Sequence, residues 1–196
     1  MSAARDGRGY HRAVAGEVAI RRATADDVEF LAGLVTDDEV APFLAAVRPA
    51  SPDEVLDEIR RSEADPGESG VFVIEVGGER AGTMAFHQVN RRSRIASLEG
   101  LAVHPRFRGH GVADAAARLF QRHLLDEVGL HRLQLEVYGF NERAIRHAER
   151  AGFVREGVRR KAYWRNNTWV DGVLFGLVAE DLDRDDPKSR DEPPEA

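Results

Sequence analysis

Leu101-Ala-Val-His-Pro-Arg-Phe-Arg-Gly-His-Gly-Val-Ala113 reads as an apolar strand that runs into a glycine-rich turn and straight on into a helix. Pro105 and Arg106 end the strand. Gly109 and Gly111 permit positive φ and close backbone approach, and a helix starting near Val112 offers unpaired N–H donors at its N-terminus. Aligned peptide dipoles place roughly +0.5 charge there, and Arg108 adds a full one. The junction is a cradle for a phosphate or pyrophosphate held mainly by backbone. Two registers satisfy Arg-x-x-Gly-x-Gly/Ala: Arg106 with Gly109 and Gly111, or Arg108 with Gly111 and Ala113. The second is preferred, because it sets Gly111 and Ala113 in the first helical turn, where any larger Cβ substituent would hold a phosphate off. The apolar face Ala116, Leu119, Phe120, His123, Leu124 then follows at helical spacing.

A second block lies about thirty residues downstream, Leu135-Glu-Val-Tyr-Gly-Phe-Asn-Glu-Arg-Ala-Ile-Arg-His-Ala-Glu-Arg-Ala-Gly-Phe153. The two blocks together resemble the GNAT family of acetyl-CoA-dependent N-acetyltransferases. That family's cofactor motif, Arg/Gln-x-x-Gly-x-Gly/Ala after a strand, is followed one helix and one strand later by Asn-x-x-Ala and Gly-Phe. Here the matching residues are Arg108, Gly111 and Ala113, then Asn141, Ala144, Gly152 and Phe153. The later run Glu156-Gly157 to Asp171-Gly-Val resembles the subgroup of ribosomal-protein N-terminal and spermidine acetyltransferases. The resemblance covers residues 18 to about 180.

The order of elements agrees with an α/β fold. A first strand is expected over Val18 to Arg22, and Thr24 can cap a helix reaching Val35. Ser51-Pro-Asp-Glu54 is a capping box with proline at the first helical position. Two strands, Val71 to Val76 and Arg80 to Gln88, meet at the hairpin signal Gly77-Gly78. A fourth strand, Ile95 to Val103, leads into the glycine turn, and a fifth, Arg132 to Tyr138, precedes a short helix stopped by Gly152. A last hairpin turns at Asn166-Asn167. This order, βααβββαβαββ, is GNAT-like, and the resemblance implies a central mixed sheet, flanked by helices, whose fourth and fifth strands splay apart to admit pantetheine.

Composition bounds the rest. The chain has 196 residues, no cysteine and a formal net charge of −6. One domain over 17–180 is expected, between a loose N-terminus (1–16) and a disordered acidic tail (181–196), where three prolines and one large apolar residue cannot offset ordering entropy. Without cysteine there is neither disulfide nor thiolate metal site. The acidic balance argues against nucleic acid, and no apolar run or leader pattern supports a membrane or export, so a cytoplasmic protein is expected.

The resemblance assigns acetyl-CoA as co-substrate. The backbone edge Leu101, Ala102, Val103 would pair with the pantetheine amides, and Arg108, Gly109, His110, Gly111, Val112 and Ala113 would surround the phosphates. Asn141 would cap the short helix and bond the pantetheine arm. Attack on a thioester needs a neutral amine, hence a base. Glu99 is the candidate: strict alternation puts it on the face of Val103, near the acetyl group. The family's usual general acid, a tyrosine seven residues after the motif asparagine, is replaced by Ala148. Tyr138 is the nearest phenol, and His147 sits beside the vacant position. Glu136, on the face opposite Leu135 and Val137, reads as structural. His87, His104 and His110 lack metal-ligand spacing, so no metal is expected.

The expected acceptor is a small polycationic amine, a polyamine or an aminoglycoside-like antibiotic, or else a protein N-terminus; the acids Asp37, Asp38 and Glu39 would favour a cationic amine by steering. Tyr163, Trp164 and Trp169 flank the last hairpin and could line its site. A homodimer is common in the family. Two other classes fit less: an acyl-CoA sensor without turnover, for which Ala148 speaks, and a dinucleotide module, which would need a third glycine.

Overall fold

The computed structural model describes residues 16–44 and 51–184. Residues 1–15 and 185–196, which hold nearly all of the expected loose N-terminus and most of the acidic tail, lie outside the described residues.

Seven strands form one sheet in the order β1-β2-β3-β4-β5-β7-β6. They are β1 (Val18–Arg22), β2 (Ser69–Val76), β3 (Glu79–Asn90), β4 (Ile95–Val103), β5 (Arg132–Tyr138), β6 (Val154–Arg165) and β7 (Thr168–Val178). Two of the hairpins, β2–β3 and β6–β7, turn where sequence chemistry demands. Gly77 and Gly78 have φ of 59° and 82°, and Asn166 and Asn167 have 51° and 57°. Two consecutive positive φ values match the strands' own twist, and glycine and asparagine tolerate them best.

Helices α1 (Val28–Thr36) and α2 (Pro52–Ala64) cover one face of the sheet, and α3 (Val112–Arg122) and α4 (Glu142–Arg150) the other. Ser51 caps α2 by accepting from the Glu54 amide, as the capping box requires, and Val55 and Ile59 bury against Val71 and Val73. On α3 the buried stripe is Val112, Ala116 and Phe120, continued by Leu124 in the following π turn, all at steps of four. Leu119, expected on that stripe, is exposed. Fully burying Phe120 and Leu124 is worth about 1.5–3 kcal/mol each, which seats α3 firmly behind the strands.

Asp27 locks β1, β3 and the start of α1 together. Its carboxylate is fully buried and accepts from Arg21 at 2.7 and 2.9 Å, from Arg80 at 2.8 Å and from the Thr24 amide at 2.9 Å. Arg21's hydrogen bonds, working against burial, hold the Asp27 carboxyl far below the usual carboxylate range.

Two features position the site. The parallel pairing of β4 with β5 involves only Ile95, Ala96 and Ser97 opposite Arg132, Leu133 and Gln134. Beyond them the strands run on without pairing, β4 to Val103 and β5 to Tyr138, and leave a fork. The second feature is a bulge in β4. Ala102 stands opposite Thr83 and Glu99 opposite Ala85, so Gly100 and Leu101 together face Met84, and Gly100 takes φ of 68°. The extra residue breaks the alternation expected along this strand. Glu99 therefore shares its face with Ala102, on the side of α1 and α2, and not with Val103.

The chain end also differs from expectation. Ala179–Arg184 form a short helix, α5, and Ala179 and Leu182 pack against the main core. Residues 181–184 thus extend the folded domain, because Leu182, the tail's one large apolar residue, has a place to bury.

Candidate active site

Two cavities meet at the fork. The outer one, about 580 Å³, lies at the N-terminus of α3 and is lined by Val103, Arg108, Gly109, Gly111, Val112 and Ala113 together with residues of α4. The inner one, about 260 Å³, lies between the splayed strands, with Ser97, Leu98, Glu99 and Leu101 on one wall and Leu135, Glu136, Val137 and Tyr138 on the other. Phe43, Leu101, Asn141, Ala144 and His147 line both. A long, narrow ligand can therefore run from the turn, along the open edges of β4 and β5, to Glu99.

The turn has the conformation its glycines foretell. Gly109 and Gly111 have φ of 79° and 75°, and a Cβ built on either meets no protein atom within 4 Å. That space belongs to the cavity. Gly111 is the N-cap of α3, so the first-turn amides point outward and carry the helix's partial positive charge. Backbone donors of this kind, with cationic side chains around them, suit a diphosphate.

Arg108 is less available than its sequence position implies. Its Nε donates to the Val103 carbonyl at 2.9 Å and its Nη1 to Glu39 Oε2 at 2.8 Å. The guanidinium braces the turn against β4 and ties it to the segment between α1 and α2. Glu39, one of the three acids expected to steer the acceptor, instead has this bracing role. Further basic side chains on the lining are Arg143, His147 and Arg150 of α4. Their spacing of four and three residues puts them on one helical face, a signal present in the sequence but masked by the motif residues between them. Asp114, in the first turn of α3, faces them: its Oδ1 lies 2.8 Å from His147 Nδ1 and 3.2 Å from Arg150 Nη2. Burial pushes the Asp114 carboxyl up, but bonds from His147 and Arg150 outweigh it and hold the group below its ordinary value.

Of the other expected ligand-binding positions, Asn141 caps α4, its Oδ1 accepting from the Ala144 amide at 3.1 Å. Ala102 points to the opposite face and buries with Leu34, Val40 and Leu44. His110 does not line the outer cavity, and its Nδ1 is buried without a hydrogen-bond partner in the structure.

At the inner end, Glu99 and Tyr138 both reach the cavity. Glu99 is about one-third exposed and its Oε1 lies 3.3 Å from His87 Nδ1. Tyr138 is buried, stacks on Phe140 and accepts a 2.8 Å hydrogen bond from Arg165 Nε. Ala148, at the position where the resemblance implies a tyrosine, is buried against the same cavity. Glu136 leans over Gly172, where any Cβ would overlap it, and accepts from Arg159 at 3.1 Å. Burial and the Glu136 carboxylate push the Tyr163 phenol up. Trp164 and Trp169 pair edge to face, both more than half exposed, at the hairpin tip and outside either cavity. Among the described residues no group of three or more His, Asp or Glu is placed to hold a metal, and no helix is long and apolar enough to cross a membrane.

The model of a family described as the acetyltransferase (GNAT) family matches residues 34–153. Among curated relatives, an uncharacterized N-acetyltransferase, YokL, of Bacillus subtilis (strain 168) is 32% identical over 83 residues, 42% of this chain and 47% of the relative. Spermidine N(1)-acetyltransferase of Escherichia coli (strain K12) is 29% identical over 102 residues, 52% of this chain and 54% of the relative. The chain thus spans about half the length of these relatives. In fold it is similar to spermidine N-acetyltransferase from Vibrio cholerae in complex with CoA and spermine: TM-score 0.75 at 21% identity, covering 84% of this chain and 96% of that one.

Proposed function

The chain belongs to the GNAT acetyltransferase family, and from that premise we propose that it moves an acetyl group from acetyl-CoA to a primary amine by direct attack within a ternary complex. One observation carries the reading: the cavity at the phosphate-fitting turn and the cavity lined by Glu99 share Phe43, Leu101, Asn141, Ala144 and His147 as walls. When bound, acetyl-CoA supplies an activated thioester. The first-turn amides of α3, with Arg143 and Arg150, would hold its diphosphate, and the unpaired edge of β4 would align its amides.

The chain's own groups supply the proton transfers. An alkylammonium has no lone pair, so Glu99 takes its proton and leaves the nitrogen able to attack. Tyr138 lies across the fork as the proton donor to the departing sulfur, and Arg165 provides a positive partner for the phenol oxygen as that proton leaves. The open space beside Ala148 admits the acetyl end.

A small polycationic amine is the acceptor we favour. The acids of the chain support it, and the Escherichia coli and Vibrio cholerae relatives named above are spermidine acetyltransferases. We place the protein in the cytoplasm, with no nucleic acid, membrane or metal in the reaction. Release of CoA thiol should be measured with polyamines, neutral-chain amines, amino acids and peptide N-termini. Turnover highest with polyamines is expected. Binding of acetyl-CoA without thiol release on any amine would replace the enzyme by a sensor.

A further inference from the structure

The bulge that turns Glu99 toward α1 and α2 also sets it beside a histidine. His87 stands opposite Ser97 in the β3–β4 register, and Glu99 stands opposite Ala85, two residues away on the same face. The resulting contact, 3.3 Å from His87 Nδ1 to Glu99 Oε1, spans the two strands diagonally. An ionised carboxylate only accepts, so Nδ1 carries the hydrogen of this bond. Glu99 lines the inner cavity and His87 does not. The histidine side chain is 47% exposed against 32% for the glutamate, so the pair runs from cavity wall to solvent.

We propose that His87 is the positioning residue of the base. Through its Nδ1–H it holds the Glu99 carboxylate at the cavity wall. The inference rests on the reading of Glu99 as the base.

A carboxylate on three rotatable bonds takes a direction only where partners fix it, and the imidazole N–H is one such partner of Glu99. Around the pair, β2 contributes neutral Ser69 and β4 neutral Ser97. Helix α2 contributes Glu58, which lines a small cavity with Ala85 and Gly100, while Glu68 on the neighbouring loop is paired with Arg91. These charges are common to every variant below and do not alter the comparison.

The test uses His87→Asn, His87→Ala and Glu99→Gln, with kcat and the amine's KM for thiol release measured near pH 8 at saturating acetyl-CoA. The Asn amide places an N–H near the Nδ1 position. His87→Asn should keep kcat within about threefold of wild type. His87→Ala should lose about tenfold in kcat, what one hydrogen bond to a charged group is worth, with the Kd for acetyl-CoA unchanged in a direct titration. Wild-type kcat in His87→Ala, or a loss in His87→Asn as large as that in His87→Ala, beside a Glu99→Gln variant that has lost its turnover, overturns this inference alone. Wild-type turnover in Glu99→Gln removes the base and its positioning residue together. Thermal melts confirm that each variant is folded; if His87→Ala is not, His87→Gln, whose amide reaches past the Nδ1 position, takes its place.

Discussion

Replacing Gly111 by alanine separates the two tasks of the turn, because the structure lets each cost be worked out. Gly111 sits at φ of 75° as the N-cap of α3, and an added Cβ would meet no protein atom within 4 Å. The fold therefore suffers no clash. It bears only the left-handed penalty of an L-residue, roughly 1–2 kcal/mol. For a domain of this size each kcal/mol is worth about 2–4 °C, so the melting temperature should fall by about 2–8 °C. The new methyl, however, enters the space in front of the first-turn amides. If it displaces one charge-assisted hydrogen bond to phosphate, the loss is about 1.5–3 kcal/mol, or roughly ten- to hundredfold in Kd for acetyl-CoA. Gly78→Ala is the control: φ is 82°, its Cβ is equally unobstructed, and it lies in the β2–β3 turn outside both cavities. Melting curves and calorimetry on both variants give the answer. Equal losses of melting temperature with weakened acetyl-CoA binding in Gly111→Ala alone are expected. An affinity within twofold of wild type in Gly111→Ala would refute the cradle and leave the turn a plain connection.

Two further outcomes follow from the same geometry. Tyr138→Phe should lower kcat about tenfold or more while leaving acetyl-CoA affinity unchanged in a direct titration, as loss of a positioned acid would; unchanged kcat would return Tyr138 to packing. Asp27→Asn should cost about 1.5–3 kcal/mol in urea unfolding near pH 7, since it removes the buried charge that accepts from the part-exposed Arg21 and Arg80. Because the folded-state pKa of Asp27 is depressed, its stabilisation is present above the unfolded value, about 3.9, and fades as pH falls below it. The gap between wild type and variant should therefore narrow below about pH 4.

What the sequence made legible was local. Gly77-Gly78, Asn166-Asn167, the Ser51 capping box and the turn at Gly109 to Gly111 each depend on a few adjacent residues, and each takes the conformation its chemistry requires. The splayed strands were legible only through resemblance, since nothing in the apolar runs says where parallel pairing stops. The bulge at Gly100 was not legible at all. It arises from the register of β3 against β4, a long-range choice, and one unpaired residue reversed the face on which Glu99 stands. Partners distant in sequence were hidden for the same reason: Arg108 with Glu39, Tyr138 with Arg165, and His87 with Glu99 meet only once the sheet is assembled.

The most direct test is calorimetric titration of the wild-type chain with acetyl-CoA and, in parallel, with acetyl-pantetheine, which keeps the thioester and lacks the diphosphate. Saturable binding of acetyl-CoA to a single site per chain, with acetyl-pantetheine weaker by about a hundredfold or more, is the outcome that a backbone-held diphosphate requires. Equal affinity for the two, or no binding of either at about millimolar concentration by folded protein, would contradict it.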